Sequence, residues 1–162
     1  MNKIILTLLI VAIPALSAIG QDMSEDNKPK LILSPGISYQ GQFFGEINLM
    51  YSKFAIEHSG NAIWGPRIGI EANFNHDKFI YAPKVGYEFS GMLIALRGNA
   101  VGYIDDKKLD LRLLPEAGIS LLGAVNLTYG YNLPILSFKS TEVARHRITL
   151  TANVNRGIWH AL

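Results

Sequence analysis

From Leu31 onward, apolar and polar residues alternate in short runs separated by turn-forming residues. The plainest case is Ala117 to Leu133, A-G-I-S-L-L-G-A-V-N-L-T-Y-G-Y-N-L. In its second half Val125, Leu127, Tyr129, Tyr131 and Leu133 share one side, and Asn126, Thr128, Gly130 and Asn132 share the other. A period of two is that of a β-strand with one apolar and one polar face. Gly123, between the two halves, predicts a tight hairpin.

The unit recurs to give eight strands. Leu33, Pro35, Ile37 and Tyr39 oppose Ser34, Gly36 and Ser38, with a turn at Gln40-Gly41-Gln42. Ile47, Leu49 and Tyr51 oppose Glu46, Asn48, Met50 and Ser52, with a loop from His58 to Asn61. Pro66, Ile68, Ile70, Ala72 and Phe74 oppose Arg67, Gly69, Glu71 and Asn73, with a turn from Asn75 to Lys78. Phe79, Tyr81, Pro83, Val85, Tyr87 and Phe89 oppose Lys84, Gly86, Glu88 and Ser90, and Gly91 marks the next hairpin. Met92, Ile94, Leu96, Gly98 and Ala100 oppose Leu93, Ala95, Arg97 and Asn99, with a turn from Asp105 to Lys108. Leu109, Leu111, Leu113, Pro115, Ala117, Ile119 and Leu121 oppose Asp110, Arg112, Leu114, Glu116, Gly118 and Ser120. After the seventh strand a longer loop runs from about Ile135 to Ala144, and Ile148, Leu150, Ala152 and Val154 then oppose Thr149, Thr151, Asn153 and Asn155. Pro35, Pro66, Pro83 and Pro115 fall inside strands, where Pro removes a ladder donor, so bulges or strand ends are expected there.

Eight antiparallel strands with one apolar face close as an up-and-down barrel, and volume decides which face lies inside. The apolar face carries about five large side chains per strand, while an eight-stranded barrel has an interior only just wide enough for side chains to fill. Facing lipid, the same set meets no such limit. The other face is rich in Gly, Ser, Asn and Thr, interspersed with Glu46, Arg67, Glu71, Lys84, Glu88, Arg97, Asp110, Arg112 and Glu116. Five acids and four bases can neutralise one another in a lumen that unpaired charges could not occupy. The expectation is an all-β, eight-stranded transmembrane barrel with an apolar outside and a polar, charge-paired lumen held together by those nine residues. Tyr39, Phe43, Phe44, Tyr51, Phe54, Phe74, Phe79, Tyr81, Phe89, Tyr129 and Tyr131 fall mostly near strand ends, where aromatic girdles meet membrane interfaces.

The N-terminal region has a different grammar. Lys3 is followed by an apolar run from Ile4 to Ile13, Pro14 breaks it, and Ala18-Ile19-Gly20 supplies small residues for cleavage before Gln21. Residues 1–20 are therefore expected to be a secretory signal peptide, too short to span a bilayer as a helix. Residues 21–30, polar and containing Pro29, are expected to be a disordered lead-in to a barrel over 31–162. Cysteine is absent, which excludes disulfides, thiolate metal sites and lipid anchoring through Cys. The net charge of +2 is too small and too dispersed for a nucleic-acid-binding face. A mean hydropathy of +0.19, without a spanning helix after residue 20, suits apolar residues spread over alternate positions.

In pattern and size, residues 31–155 resemble the small outer-membrane barrels of the OmpA/OmpX type, and in style the outer-membrane β-barrel proteins of the Bacteroidetes. The resemblance implies a bacterial outer-membrane location, with both termini in the periplasm. Connections around Gln40, His76, Asp105 and Ser137 would then face outward, and those near Ser59, Ser90 and Gly123 the periplasm. It implies outer-membrane lipid and the barrel-insertion machinery as partners, and a surface ligand met through the outer loops. The C-terminal stretch departs from the family, because Leu162 stands where an aromatic residue usually closes the last strand and Arg156 breaks the apolar phase.

Some such barrels modify lipids, so the His-bearing segments are the candidate chemistry: Glu57-His58-Ser59, His76-Asp77, Arg145-His146-Arg147 and His160. Adjacent strand residues point to opposite faces, so none of these is a nucleophile and base pair by itself. No catalytic, cofactor or metal residue is expected. Lys139, Arg145, His146 and Arg147 are expected as a solvated, positively charged loop end, with contact to anionic lipid headgroups as the alternative. The expected role is structural or interactive, without a wide pore. Two other classes remain as alternatives, an outer-membrane lipid-modifying enzyme and a soluble periplasmic lipocalin-like carrier of an apolar ligand.

Overall fold

The computed structural model describes residues 29–57, 60–74, 78–91 and 93–154, with side chains described for these apart from 54–57, 60 and 61. Residues 1–28 and the stretch beyond Val154 fall outside the description, and with them the expected signal peptide, most of the lead-in, and the C-terminal departure. So do His58, Ser59, His76, Asp77 and His160.

Among the described residues nine β-strands form one sheet: β1 (Lys30–Tyr39), β2 (Phe43–Glu57), β3 (Gly60–Asn73), β4 (Tyr81–Gly91), β5 (Ile94–Asp105), β6 (Lys108–Leu121), β7 (Val125–Tyr131), β8 (Leu133–Pro134) and β9 (His146–Ala152). Every pairing is antiparallel. Each strand from β1 to β6 pairs with the next, β7 and β8 both pair with β6, and β9 joins β7 to β1. Because β8 only prolongs β7, the sheet is a closed barrel of eight staves.

The stagger follows from the pairs. Tyr39 faces Ile148, then Tyr129, Ala117, Leu96, Phe89, Trp64 and Lys53 follow around the wall. Lys53 lies one step beyond Ser52, the partner of Lys30, so one circuit slips about ten residues along β1. A slip of that size tilts the strands by roughly 35–45° to the axis.

The four strand prolines do not form bulges or ends. Register is the same on both sides of each, and each opens a gap of two residue pairs in one ladder. Pro66 sits in the β2–β3 gap between Arg67 and Trp64, and Pro83 in the β4–β5 gap between Tyr81 and Lys84. Pro115 separates the β6–β7 from the β6–β8 pairing, which is why β7 and β8 are two strands. Pro35 ends the β1–β9 ladder at Gly36, and an isolated Leu33–Val154 bridge resumes it in register. The missing donor loosens one neighbour while the other ladder continues (Pro35 still faces Ile47, for instance).

Among the described residues, two hairpin turns hold successive residues at positive φ. Asp106 and Lys107 both have positive φ (46° and 64°), as do Leu122 and Gly123 (49° and 77°). Two successive left-handed residues match the right-handed twist of the strands they join. Leu93, expected to share the inward face of Ala95 and Arg97, instead lies in the turn before β5 and is 70% exposed.

Candidate functional site

The interior is built from the polar face. Glu46, Arg67, Glu71, Lys84, Glu88, Arg97, Asp110, Arg112 and Glu116 are all buried, none more than 6% exposed. Alternation alone places them there, since β2 to β6 present every second side chain inward. They form linked groups rather than isolated pairs.

The central group joins β2, β3, β4 and β9. Glu46 and Glu71 face each other directly across β2 and β3. Opposed like charges are unfavourable unless cations lie between them. Lys84 Nζ supplies one bridge, 2.6 Å from Glu46 Oε2 and 3.0 Å from Glu71 Oε2. Arg147 supplies the other, with Nη2 on Glu46 and Nη1 2.8 Å from Glu71 Oε1. Arg147 also donates to the Tyr103 hydroxyl at 3.2 Å and to Thr149 Oγ1 at 2.8 Å. Tyr103 in turn donates to Gln40 Oε1 at 3.0 Å.

Arg147 corrects the sequence expectation. It is not part of a charged loop end; β9 begins at His146, and Arg147 is 1% exposed in the lumen. Its signal was present, because Arg147 shares the phase of Thr149, Thr151 and Asn153. With it the five expected acids meet the four expected bases and Arg147, while Asp105, also buried, is met at the rim by Lys78.

A second group surrounds Glu88, with Arg67 Nη1 at 2.6 Å, Arg97 Nε at 2.9 Å, and the Ser90 hydroxyl and Asn126 amide donating at 2.7 and 3.0 Å. Arg97 reaches on to Thr151 of β9. Glu116 accepts from Asn99 at 2.9 Å and Thr149 at 3.0 Å. Asp110 and Arg112 stand apart from these, at the end where Tyr39, Asp105 and Tyr131 leave the wall. Arg112 Nη2 is 2.6 Å from Asp110 Oδ2, and its guanidinium lies over the Tyr103 ring.

At that loop end, Ser140 to Ala144 fold into the mouth, Ser140 and Val143 being buried there. Arg112 donates to the carbonyls of Val143 and Ser140 at 2.9 and 3.1 Å. The Ser140 N–H donates to Asp110 and its hydroxyl to Asp105, at 2.8 and 2.6 Å. Val143 enters an apolar layer with Phe44, Ile80, Ala82, Val101, Tyr103 and Leu114. Phe44 is therefore an interior residue, edge-on to Tyr103, and not a member of an outer girdle. Lys78 closes the rim at 2.9 Å from Asp105, whose hydrogen bond raises the Lys78 pKa above its ordinary value. A second apolar layer of Ile32, Met50, Ile63 and Ala124 fills the opposite, hairpin end. The interior is thus an ion-paired middle between two apolar layers, not polar throughout.

Of the candidate catalytic segments, His146 alone falls among the described residues. It lies outside the wall, with Nδ1 2.6 Å from the Tyr129 hydroxyl and its ring against Tyr131. Among the described residues no three His, Cys, Asp or Glu side chains converge as metal ligands.

These features define a class, a closed eight-stranded antiparallel β-barrel with a buried ion-pair network. No family model, curated protein or solved structure matches the chain.

Proposed function

We propose that the chain is a bacterial outer-membrane β-barrel with a structural or surface-interaction role and no wide pore. One observation carries this reading: the outward side chains are large, apolar and exposed on every long strand. Ile37, Ile47, Ile70, Val85, Leu96, Leu113, Leu127 and Leu150 represent β1 to β7 and β9 in turn. A soluble monomer seldom leaves an apolar patch larger than about 300–600 Å². Burying each such side chain is worth about 1.5–3 kcal/mol, which water forgoes and lipid supplies. Outer aromatics at the loop end fit an interfacial girdle, with Tyr39 and Phe43 in edge contact at 5.1 Å and Phe79 stacked on Tyr81 at 6.1 Å.

The filled, ion-paired interior supports a role without a wide channel and without a carrier's ligand cavity. Partners on this reading are outer-membrane lipid, the insertion machinery, and a surface ligand met at the loop end. The test is solubility and gel mobility. The protein is expected in the membrane fraction, released by detergent and not by buffer, with a band that shifts on boiling in SDS. Release by buffer, with no shift, would place the apolar face elsewhere and sink the membrane reading.

A further inference from the structure

The wall below the loop-end rim changes character in one sector. Around the rim the outward residues are Tyr39 and Phe43 on β1 and β2, Phe74 after β3, Phe79 and Tyr81 at β4, and Tyr129 and Tyr131 on β7. The sector of β5, β6 and β8 carries instead an aliphatic column. Leu109 and Leu113 of β6 stand beside Leu133 of β8, and Ile135 continues the column by donating its N–H to the Leu111 carbonyl. Leu109, Leu113, Leu133 and Ile135 are each 38–51% exposed.

Three cations crown this column. Lys107 and Lys108 form the β5–β6 turn, and Lys139 lies in the loop that folds against it. Lys108 Nζ sits 5.3 Å from the Phe138 ring centroid, and the Ser140 hydroxyl bonds Asp105, so turn and loop meet at one place. The nearby acids are already engaged, Asp105 with Lys78 and Ser140, and Asp106 with Lys78 at 3.9 Å. Among the described residues none of the three lysines has a carboxylate within ion-pair distance. An aliphatic strip ending under three exposed ammonium groups, none of them in a salt bridge, complements a molecule with acyl chains below and negative charge above.

We infer that this sector is a binding site for a phosphate-bearing anionic membrane lipid, its chains along Leu109, Leu113, Leu133 and Ile135 and its phosphate on Lys107, Lys108 and Lys139. The inference rests on the membrane reading. Aromatic rings on the strands elsewhere around the rim anchor the barrel at the interface without regard to lipid charge, whereas this sector selects for charge.

The experiment places the full chain in phosphatidylcholine bilayers with trace spin-labelled phosphatidic acid or spin-labelled phosphatidylcholine, and measures the motionally restricted fraction of each. The expected result is an enrichment of phosphatidic acid at the protein of about tenfold, falling to within about twofold of parity in K107Q/K108Q/K139Q. The control K53Q, at the opposite end, is expected to leave the enrichment unchanged. Equal restriction of both lipids by the wild type, or full enrichment in the triple variant, or an equal loss in K53Q, would overturn the site. Gel mobility of the same samples separates the two readings. A wild type that never enters the bilayer refutes the membrane proposal, while one that enters and shows no preference refutes this inference alone.

Discussion

Arg147 shows how much one side chain can hold. It lies between Glu46 and Glu71, which face each other across β2 and β3 and without it would have Lys84 alone bridging both. Breaking a buried pair costs more than the pair is worth, because the remaining charge is left without water or partner. Arg147→Ala is expected to destabilise the barrel by about 3–5 kcal/mol, read as a lower urea midpoint in detergent. Arg145→Ala, one step outside the lumen, should change it by less than about 0.5 kcal/mol. Equal effects from the two would mean that the network contributes nothing. Tyr103→Phe removes only a neutral hydroxyl from the same group, and a loss of about 1 kcal/mol is expected in the same assay.

At the scale of elements, the hairpins and prolines make separate claims. Leu122 holds a positive φ of 49° in the β6–β7 turn, a conformation that costs an L-residue other than Gly or Asn about 1–2 kcal/mol. Leu122→Asn creates the Asn-Gly pair that such turns favour. It should raise stability by about 1 kcal/mol in thermal or urea unfolding, and a loss instead would mean that packing of the Leu side chain outweighs the strain. Pro115 sits in a gap that its missing N–H opens without shifting register. Pro115→Val therefore restores a donor while adding freedom to the unfolded chain, two effects of similar size. Stability should stay within about 1 kcal/mol of wild type, and hydrogen exchange should find a newly protected amide at position 115.

For the whole molecule the question is which solvent the outer wall meets. Ile70 and Leu127 are exposed on the outer faces of β3 and β7. If lipid surrounds them, Ile70→Arg or Leu127→Arg should each cost about 2–4 kcal/mol and deplete the heat-modifiable band. If water surrounds them, either change is neutral or favourable, and an unaltered band would count against the membrane proposal.

The chain determined its strands, its two faces and the sorting of charge by itself, because a strand's alternation is a property of its own backbone and reads directly from residues two apart. The nine charges expected inside all lie in β2 to β6, where that alternation is unbroken. Only the tertiary structure decided which charge meets which, since the contacts join residues as distant as Glu46 and Arg147, 101 positions apart. Arg147 lay within reach of the pattern but beside a loop, and a local pattern does not mark where a loop ends and a wall begins. The folding of Ser140 to Ala144 into the mouth and the in-register gaps at the prolines were likewise invisible locally. Each depends on what stands across the barrel, and that is set by the stagger of closure, to which no single strand contributes more than its share.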